Sequence, residues 1–478
     1  MKDKSAIGLI GLATMGANLA RNIANKGFSI SVFNRTTEKT DKFIKDFGKE
    51  SGDKLHGSKT LKEFVASLET PRKIILLVKA GKPVDDMITE LSPLLDKNDI
   101  IIDCGNSHFK DTERRQKELA TRNLHFIGCG ISGGEEGALH GPSLMPGGDK
   151  SAWEKIRPIF EKIAAKDFGG KPCVVHLGDF GSGHFVKMVH NGIEYAIMQL
   201  LAESYDILKN LGKFSNPELA KIFSGYNKNP NLKSFLIEIT AKIFAKKDPE
   251  SSKKDAYLID FIKDSAGQKG TGKWTTEIAH DLGVFIPTIN AAVDARIVSG
   301  DTKGRQMCKV LKLTPTAKKL TSSGKKNLIT QLENALELSI ILCYEQGVGL
   351  LTQSSKEYNW NLDLAEITRI WQGGCIIRST YLKNLTIGLG KDKTAATKIF
   401  KKITNLFAGP KQKSWRRLLT LSLESAIPIP AFSASLNFYD SYAKAHLPQN
   451  LIQAQRDFFG AHGYERTDKK GSFHTEWD

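Results

Sequence analysis

The sequence lacks the features that mark a membrane or secreted protein. No apolar run approaches the roughly 18 residues that span a bilayer. The opening MKDKSAIGLIG enters a strand-like stretch at once and leaves no room for a signal peptide. Both absences lead to the expectation of no membrane partner and a cytoplasmic address. Cysteine is scarce: Cys104, Cys129, Cys173, Cys308, Cys343 and Cys375 are scattered, with no CxxC pair and no histidine cluster at metal-ligand spacing. Six reduced, mostly buried thiols and no structural metal are expected. Nor does any nucleic-acid module accompany the 69 Lys and Arg residues, which outnumber 52 Asp and Glu to give a formal charge of +17. That surplus suits an anionic partner, and charge alone does not choose between nucleic acid, an acidic membrane and a phosphorylated, carboxylated small molecule.

What is present fits a globular chain of two or three domains: 478 residues, 40% hydrophobic and 25% charged. SAIGLIGLATMGANLARNIANKGFSISVFNRT reads as strand (Ala6 to Ile10), glycine turn, helix (Met15 to Lys26) and strand (Ser29 to Phe33). In that setting GLATMG (Gly11, Leu12, Ala13, Thr14, Met15, Gly16) is a dinucleotide fingerprint of G-x-A-x-x-G form. Gly11 supplies the tight turn and Gly16 the close helix packing, with Ala13 in place of the glycine under the pyrophosphate. An NAD site usually ends its second strand in a carboxylate. This chain has Asn34, Arg35 and Thr36 there, and Arg35 suits a 2′-phosphate, so the cofactor expected is NADP. Further apolar runs (72–81, 99–107, 124–134 and 172–178) extend the α/β pattern. Their ends place Val78, Lys79, Ala80, Asn106 and Ser132-Gly133-Gly134 to meet cofactor and substrate.

After Gly183 the strand signals stop, and residues to about 445 read as amphipathic helices. The first of them, continuing to about Leu211, sets Lys187, His190, Asn191, Glu194 and Tyr195 along one arc roughly 140° wide. Solvated faces seldom combine an amine, an imidazole, an amide, a carboxyl and a phenol. A weak internal repeat links MQLLAESYDIL to IILCYEQGVGLL at a shift of about 142, each leading to a shorter helix. Applied to the five polar residues, the shift lands on Ile329, Leu332, Glu333, Leu336 and Glu337, so the repeat carries the packing without the polar set. DSAGQKGTGKWT places Lys269, Thr271 and Lys273 among glycines, a pattern suited to an anion. QAQRDFFGAHGYERTD leaves Arg456 and His462 on an aromatic, docked tail.

These stretches, with GNSHFKDTERR, GISGGEEGALHGPSLMPGG, KMVHNGIEY and GGCIIRS, resemble the 6-phosphogluconate dehydrogenase family over essentially the whole chain. The Gly183-x-x-x-Lys187-x-x-x-Asn191 core is shared with the wider β-hydroxyacid dehydrogenases. The resemblance implies a Rossmann-like α/β domain (1–180), a large all-α dimerisation and substrate domain (181–445) and a tail (446–478) reaching a partner in a homodimer. It also implies NADP-linked oxidative decarboxylation of 6-phosphogluconate, with Lys187 as general base and Glu194 as general acid. Asn106, Ser132, Gly133, Gly134, His190 and Asn191 then hold the sugar acid. Tyr195, Lys269, Thr271, Arg296 and the partner-borne Arg456 bind its phosphate, and His462 also comes from the partner. The chain departs from the family pattern at Leu139 and His140 (Arg and an aromatic expected), at Gly463 (Thr) and at His108 (an acidic residue). Two other readings are weighed. A smaller 3-hydroxyacid dehydrogenase has no use for Lys269, Arg296 and Arg456, and a non-catalytic basic NADP-binding regulator has no need of Lys187 and Glu194.

Overall fold

Seven short segments build one sheet in the computed structural model, which describes residues 4–253, 255–316 and 319–477. They are β1 (Ile7–Ile10), β2 (Ile30–Phe33), β3 (Leu55–Gly57), β4 (Lys73–Leu76), β5 (Ile100–Asp103), β6 (His125–Ser132) and β7 (Ser143–Gly148). The order is β3-β2-β1-β4-β5-β6-β7, parallel except for β7, which runs antiparallel to β6. Helices cover both faces, so the inner strands are buried on each side and read as unbroken apolar runs rather than alternation. The strand order reverses between β1 and β4, and the cleft beyond their carboxyl ends is where such sheets bind ligands.

Two strand readings change. Residues 172–178 form no strand, only isolated bridges such as Val174 to Leu144, because β7 already occupies that edge. β7 itself is SLMPGG, whose proline and glycines read as a turn; Pro146, paired with Cys129, is tolerated because the strand lies at the sheet edge.

The helical domain begins with Ser182–Asp206, which runs into a π-helical turn, Ile207–Leu211, close to the expected end. It packs against Ser322–Glu357, its counterpart in the repeat. The duplication extends further than the sequence match. Asn216–Tyr226 and Leu364–Ile370 follow the two long helices, and Pro287–Gly300 and Pro430–Ala443 pack on them and on each other. The Ser322 helix is long and apolar enough by composition to cross a membrane, against the expectation of no such stretch. Yet 83% of its apolar window is buried within the protein, as in the core helix of a folded domain. Strand structure also returns in the tail, where β8 (Tyr464–Glu465) pairs with β9 (Ser472–Phe473). All six cysteines are free thiols, and only Cys308 is exposed.

The repeat is tied together by reciprocal caps. Glu203 accepts hydrogen bonds from the N–H groups of Ala431 (2.8 Å) and Phe432 (2.9 Å) at the start of the Pro430 helix. In the other half Gln346, one position past the residue that the repeat sets opposite Glu203, plays the matching part: its Oε1 accepts from Thr288 N–H (3.0 Å) at the start of the Pro287 helix. Helix N-termini leave such donors unpaired, and both repeats fill them from the neighbouring long helix. One cap is neutral and the other is an acid. Burial raises the Glu203 carboxyl to about 7, although the two backbone N–H groups work against that rise. Folded protein therefore binds this proton more tightly than unfolded chain, and stability falls as pH rises through the window from about 4.5 to 7. Glu203→Gln removes that slope. Relative to the wild type, the variant is expected to gain up to ~3 kcal/mol between pH 5 and pH 8 in denaturant titrations. A wild-type-like pH slope in the variant contradicts the account.

Candidate active site

The Ser182 helix crosses β6 and β7 at very short range, and glycines on both sides make this possible. A Cβ on Gly183 would lie 2.3 Å from the Met145 carbonyl oxygen and 2.4 Å from that of Gly128. A Cβ on Gly130, in β6, would lie 2.2 Å from Lys187 Cβ. The polar stripe therefore faces the sheet and the neighbouring Thr271–Asp281 helix rather than water. Lys187 is 5% exposed, His190 0% and Asn191 8%; Tyr195 is buried too, and only Glu194 is partly open.

One hydrogen-bonded chain runs through these groups. Ile376 N–H donates to Ser132 Oγ (3.3 Å), and Ser132 Oγ lies 3.1 Å from His190 Nε2. His190 Nδ1 is 3.1 Å from Asn191 Oδ1, which also accepts from Lys187 Nζ at 2.6 Å. Asn191 Nδ2 donates to Thr271 Oγ1 (3.2 Å). The chain runs in one consistent direction if Ser132 donates to Nε2 and the imidazole donates from Nδ1 to Asn191 Oδ1. Asn191 is thereby fixed and presents its carbonyl to the amine. Glu194 Oε2 stands 3.8 Å from His190 Nδ1, one turn further along.

Burial sets the protonation states. It lowers the Lys187 amine below its usual range, with Glu194 opposing. It raises the Glu194 carboxyl, against the pull of Lys187 and Arg296. His190 is driven well below its usual value by burial and then by Lys187, and stays neutral. A lysine pushed toward its neutral form, two turns from a carboxyl pushed toward its protonated form, has the shifts that acid–base chemistry calls for.

Beyond Glu194 lies a cationic end. The Arg296 guanidinium sits over the Tyr195 ring (3.4 Å to the centroid) and donates to the Gly267 carbonyl (3.1 Å). Thr271 opens its helix behind Gly270, whose φ of +96° suits glycine. Lys269 lines the neighbouring cleft, and Lys273 pairs with Glu277 on the surface. Arg456 and His462 are not brought to this site within one chain; both are exposed on the tail, with Arg456 held by Gln453.

The cofactor cleft, about 710 Å³, lies between the sheet and the 268–274 segment and is lined by Met15, Val78, Lys79, Ala80, Asn106 and Lys269, among others. The Thr14–Asn25 helix points its N-terminus there with no side-chain cap and no acidic residue in its first turn, which leaves its N–H groups for a pyrophosphate. A Cβ on Gly11 would meet the Leu77 carbonyl at 2.5 Å, and one on Gly16 the Gly11 carbonyl at 1.9 Å. Leu12 N–H donates to Asn34 Oδ1 (3.1 Å), locking the turn to the end of β2, where Arg35 and Thr36 are exposed. These residues fit a phosphorylated dinucleotide.

Some contributors lie in or beside stretches that the family motifs mark, GGCIIRS, GNSHF and GTGKWT, but nothing in the sequence assigns these residues a role at the site. The 371–379 loop acts through its backbone: Ile376 N–H caps Ser132, and the Gly374 carbonyl lies so near that a Cβ on Gly133 would come within 2.6 Å of it. Trp371 adds a ring edge-on to His190. His108 and Trp274 meet edge to face across the cleft (5.0 Å), joining the two domains. The departure at His140 is an exposed side chain beside Glu136, and Leu139 is half-buried.

Residues 6–178 match the family model for the NAD binding domain of 6-phosphogluconate dehydrogenase, and residues 183–477 match the one for its C-terminal domain. The chain is 51% identical over 470 residues to the decarboxylating 6-phosphogluconate dehydrogenase of Synechococcus elongatus, with 98% of each chain covered. It is 50% identical over 479 residues to the NADP(+)-dependent, decarboxylating enzyme of Bacillus subtilis, with 99% of each covered. Among solved structures it resembles Plasmodium falciparum 6-phosphogluconate dehydrogenase, determined alone, with its cofactor NADP+ and with its substrate 6-phosphogluconate. The TM-score is 0.91 and the identity 43%, over 99% of this chain and 100% of that one.

The glycine contact beneath the amine is directly testable. Gly130→Ala drives a methyl group into the Lys187 side chain, and overpacking of this kind costs about 1–3 kcal/mol. A lowered denaturation midpoint is expected, whereas unchanged stability contradicts the close crossing.

Proposed function

We propose a function from one premise: the chain belongs to the 6-phosphogluconate dehydrogenase family. It oxidises and decarboxylates 6-phospho-D-gluconate to D-ribulose 5-phosphate and CO2, reducing NADP to NADPH, a reaction of the pentose phosphate pathway. The observation that carries the assignment of roles is the desolvated Lys187 amine, bonded to Asn191 and two helical turns from Glu194.

Oxidation at C3 requires a base for the hydroxyl proton. Lys187 takes it in its neutral form, toward which burial shifts the amine. NADP would supply the hydride acceptor for C3; Arg35 and Thr36 would hold its 2′-phosphate, and the free start of the Thr14 helix its pyrophosphate. Lys187, now protonated, polarises the new C3 carbonyl, so the electrons of the breaking bond to CO2 flow into it. Glu194, whose carboxyl burial shifts toward its protonated form, then delivers a proton to the carbon that lost CO2. Seven residues separate the two groups, about 10 Å along the helix, which suits work on different carbons of one sugar. Asn106, Ser132 with Gly133 and Gly134, His190 and Asn191 orient the sugar acid. Tyr195, Lys269, Thr271 and Arg296 take the phosphate.

Arg456 and His462 complete the site from a second copy. This part of the reading is supported by the tail's exposed apolar residues, Leu451, Ile452, Phe458 and Phe459. It is also supported by a groove of about 550 Å³, walled by Leu201, Tyr205, Ile239 and Phe244, that leads to Arg296. A homodimer with exchanged tails covers both surfaces at once. The free thiols suit a reducing, cytoplasmic compartment.

The test follows NADPH absorbance and CO2 release together from 6-phosphogluconate and NADP. Wild type is expected to form both in equal amounts, and Lys187→Met to lose about 10²–10⁴-fold or more in kcat. NADPH without CO2 overturns the decarboxylation step, and full activity in the mutant overturns the base.

A further inference from the structure

The tail folds around one carboxylate. Asp457, in the last turns of the Gln449–Gly460 helix, is 0% exposed although the residues around it are open. Its Oδ1 accepts from Gly463 N–H (2.9 Å) and lies 2.9 Å from His474 Nδ1; its Oδ2 accepts from Thr475 N–H (3.1 Å) and Trp477 Nε1–H (2.9 Å). Two of these donors are backbone groups and two are side chains, and they lie 6 to 20 positions further along. They close the β8–β9 hairpin back onto the helix. Burial works against ionisation here, but the His474, Trp477, Thr475 and Gly463 donors outweigh it and hold the carboxyl at about 2.

His462 lies inside this loop. Ala461 before it is left-handed (φ +48°), and Gly463 after it is too (φ +70°), with its N–H bound to Asp457. The glycine at 463, a departure from the family pattern, is at ease in that conformation, and a Cβ there would come within 2.9 Å of Ser472 Oγ. Arg456 is the immediate neighbour of Asp457 on the helix and points outward. The tail helix packs on β8, Gln453 Nε2 donates to the Gly463 carbonyl and the Trp477 ring lies near those of Phe458 and Tyr464, with the Asp457 carboxylate at the centre of these contacts.

We propose that Asp457 is the positioning residue of the active site's tail: by gathering four donors it fixes Arg456 and His462 relative to one another, so that both reach the substrate together. This rests on the reading that the tail serves a partner's site. Asp457 does not touch substrate; it acts through its two neighbours.

The test is Asp457→Asn in the full-length protein. The amide keeps the size but turns one acceptor into a donor facing donors. Faster tryptic cleavage at Arg466, Lys469 and Lys470 is expected, with a KM for 6-phosphogluconate raised about tenfold or more and a KM for NADP unchanged. Trp477→Phe, which removes one donor and keeps a ring, is expected to shift the same quantities less, and guards against simple misfolding. Unchanged cleavage and unchanged KM in both variants overturn the proposal. Arg456→Ala separates the two readings. If it raises the KM for 6-phosphogluconate while Asp457→Asn does not, the tail serves the site without Asp457 and the proposal fails alone. If neither variant moves that KM, the tail reading fails and the proposal with it.

Discussion

Everything chemical in this protein depends on how closely one helix lies against one sheet. Gly183 in the helix and Gly130 in β6 let the Ser182 helix approach to a distance that leaves no room for a methyl group on either partner. The approach strips water from Lys187 and His190. Desolvation then does what no single neighbour does: it lowers the amine, keeps the imidazole neutral and raises the nearby carboxyl. In the proposed mechanism, residues that are ordinary in water serve as a base and an acid because of where the backbone runs. Ser132 and Ile376, one at the strand end and one in a distant loop, finish the arrangement by fixing the imidazole.

The helical domain supplies the rigidity this needs. Its two halves repeat one packing scheme and cap each other's helices through Glu203 and Gln346. Only the first half carries the polar stripe. In the second, the equivalent positions include Leu332 and Leu336, which are fully buried core residues. A duplicated scaffold thus holds one copy of the chemistry, and the second long helix serves as the wall against which the first is pressed.

Much of this was legible in the residues. The parallel strands showed as apolar runs because both faces are covered, and the five-residue stripe stood out because its side chains differ so much from one another. Other parts were hidden for physical reasons. β7 reads as a turn because an edge strand tolerates Pro146 where an inner strand does not. The 371–379 loop shows in the sequence as the GGCIIRS motif, but it contributes an N–H and a carbonyl, which every residue has, so its side chains do not announce what it does. The matching roles of Glu203 and Gln346, which the repeat sets one position out of step, emerge only when the Pro287 and Pro430 helices are seen to pack together. The fourfold grip on Asp457 joins residues whose spacing follows no helical or strand period.

The central claim is that burial, not a charged neighbour, readies Lys187 as the base. The direct measurement is the titration of its Nζ by NMR in lysine-labelled protein, with the signal assigned by its loss in Lys187→Met. The account predicts a midpoint below the ordinary lysine value of about 10.5, persisting in Glu194→Gln, because burial is the leading cause and Glu194 opposes the shift. A midpoint at or above the ordinary value would contradict it.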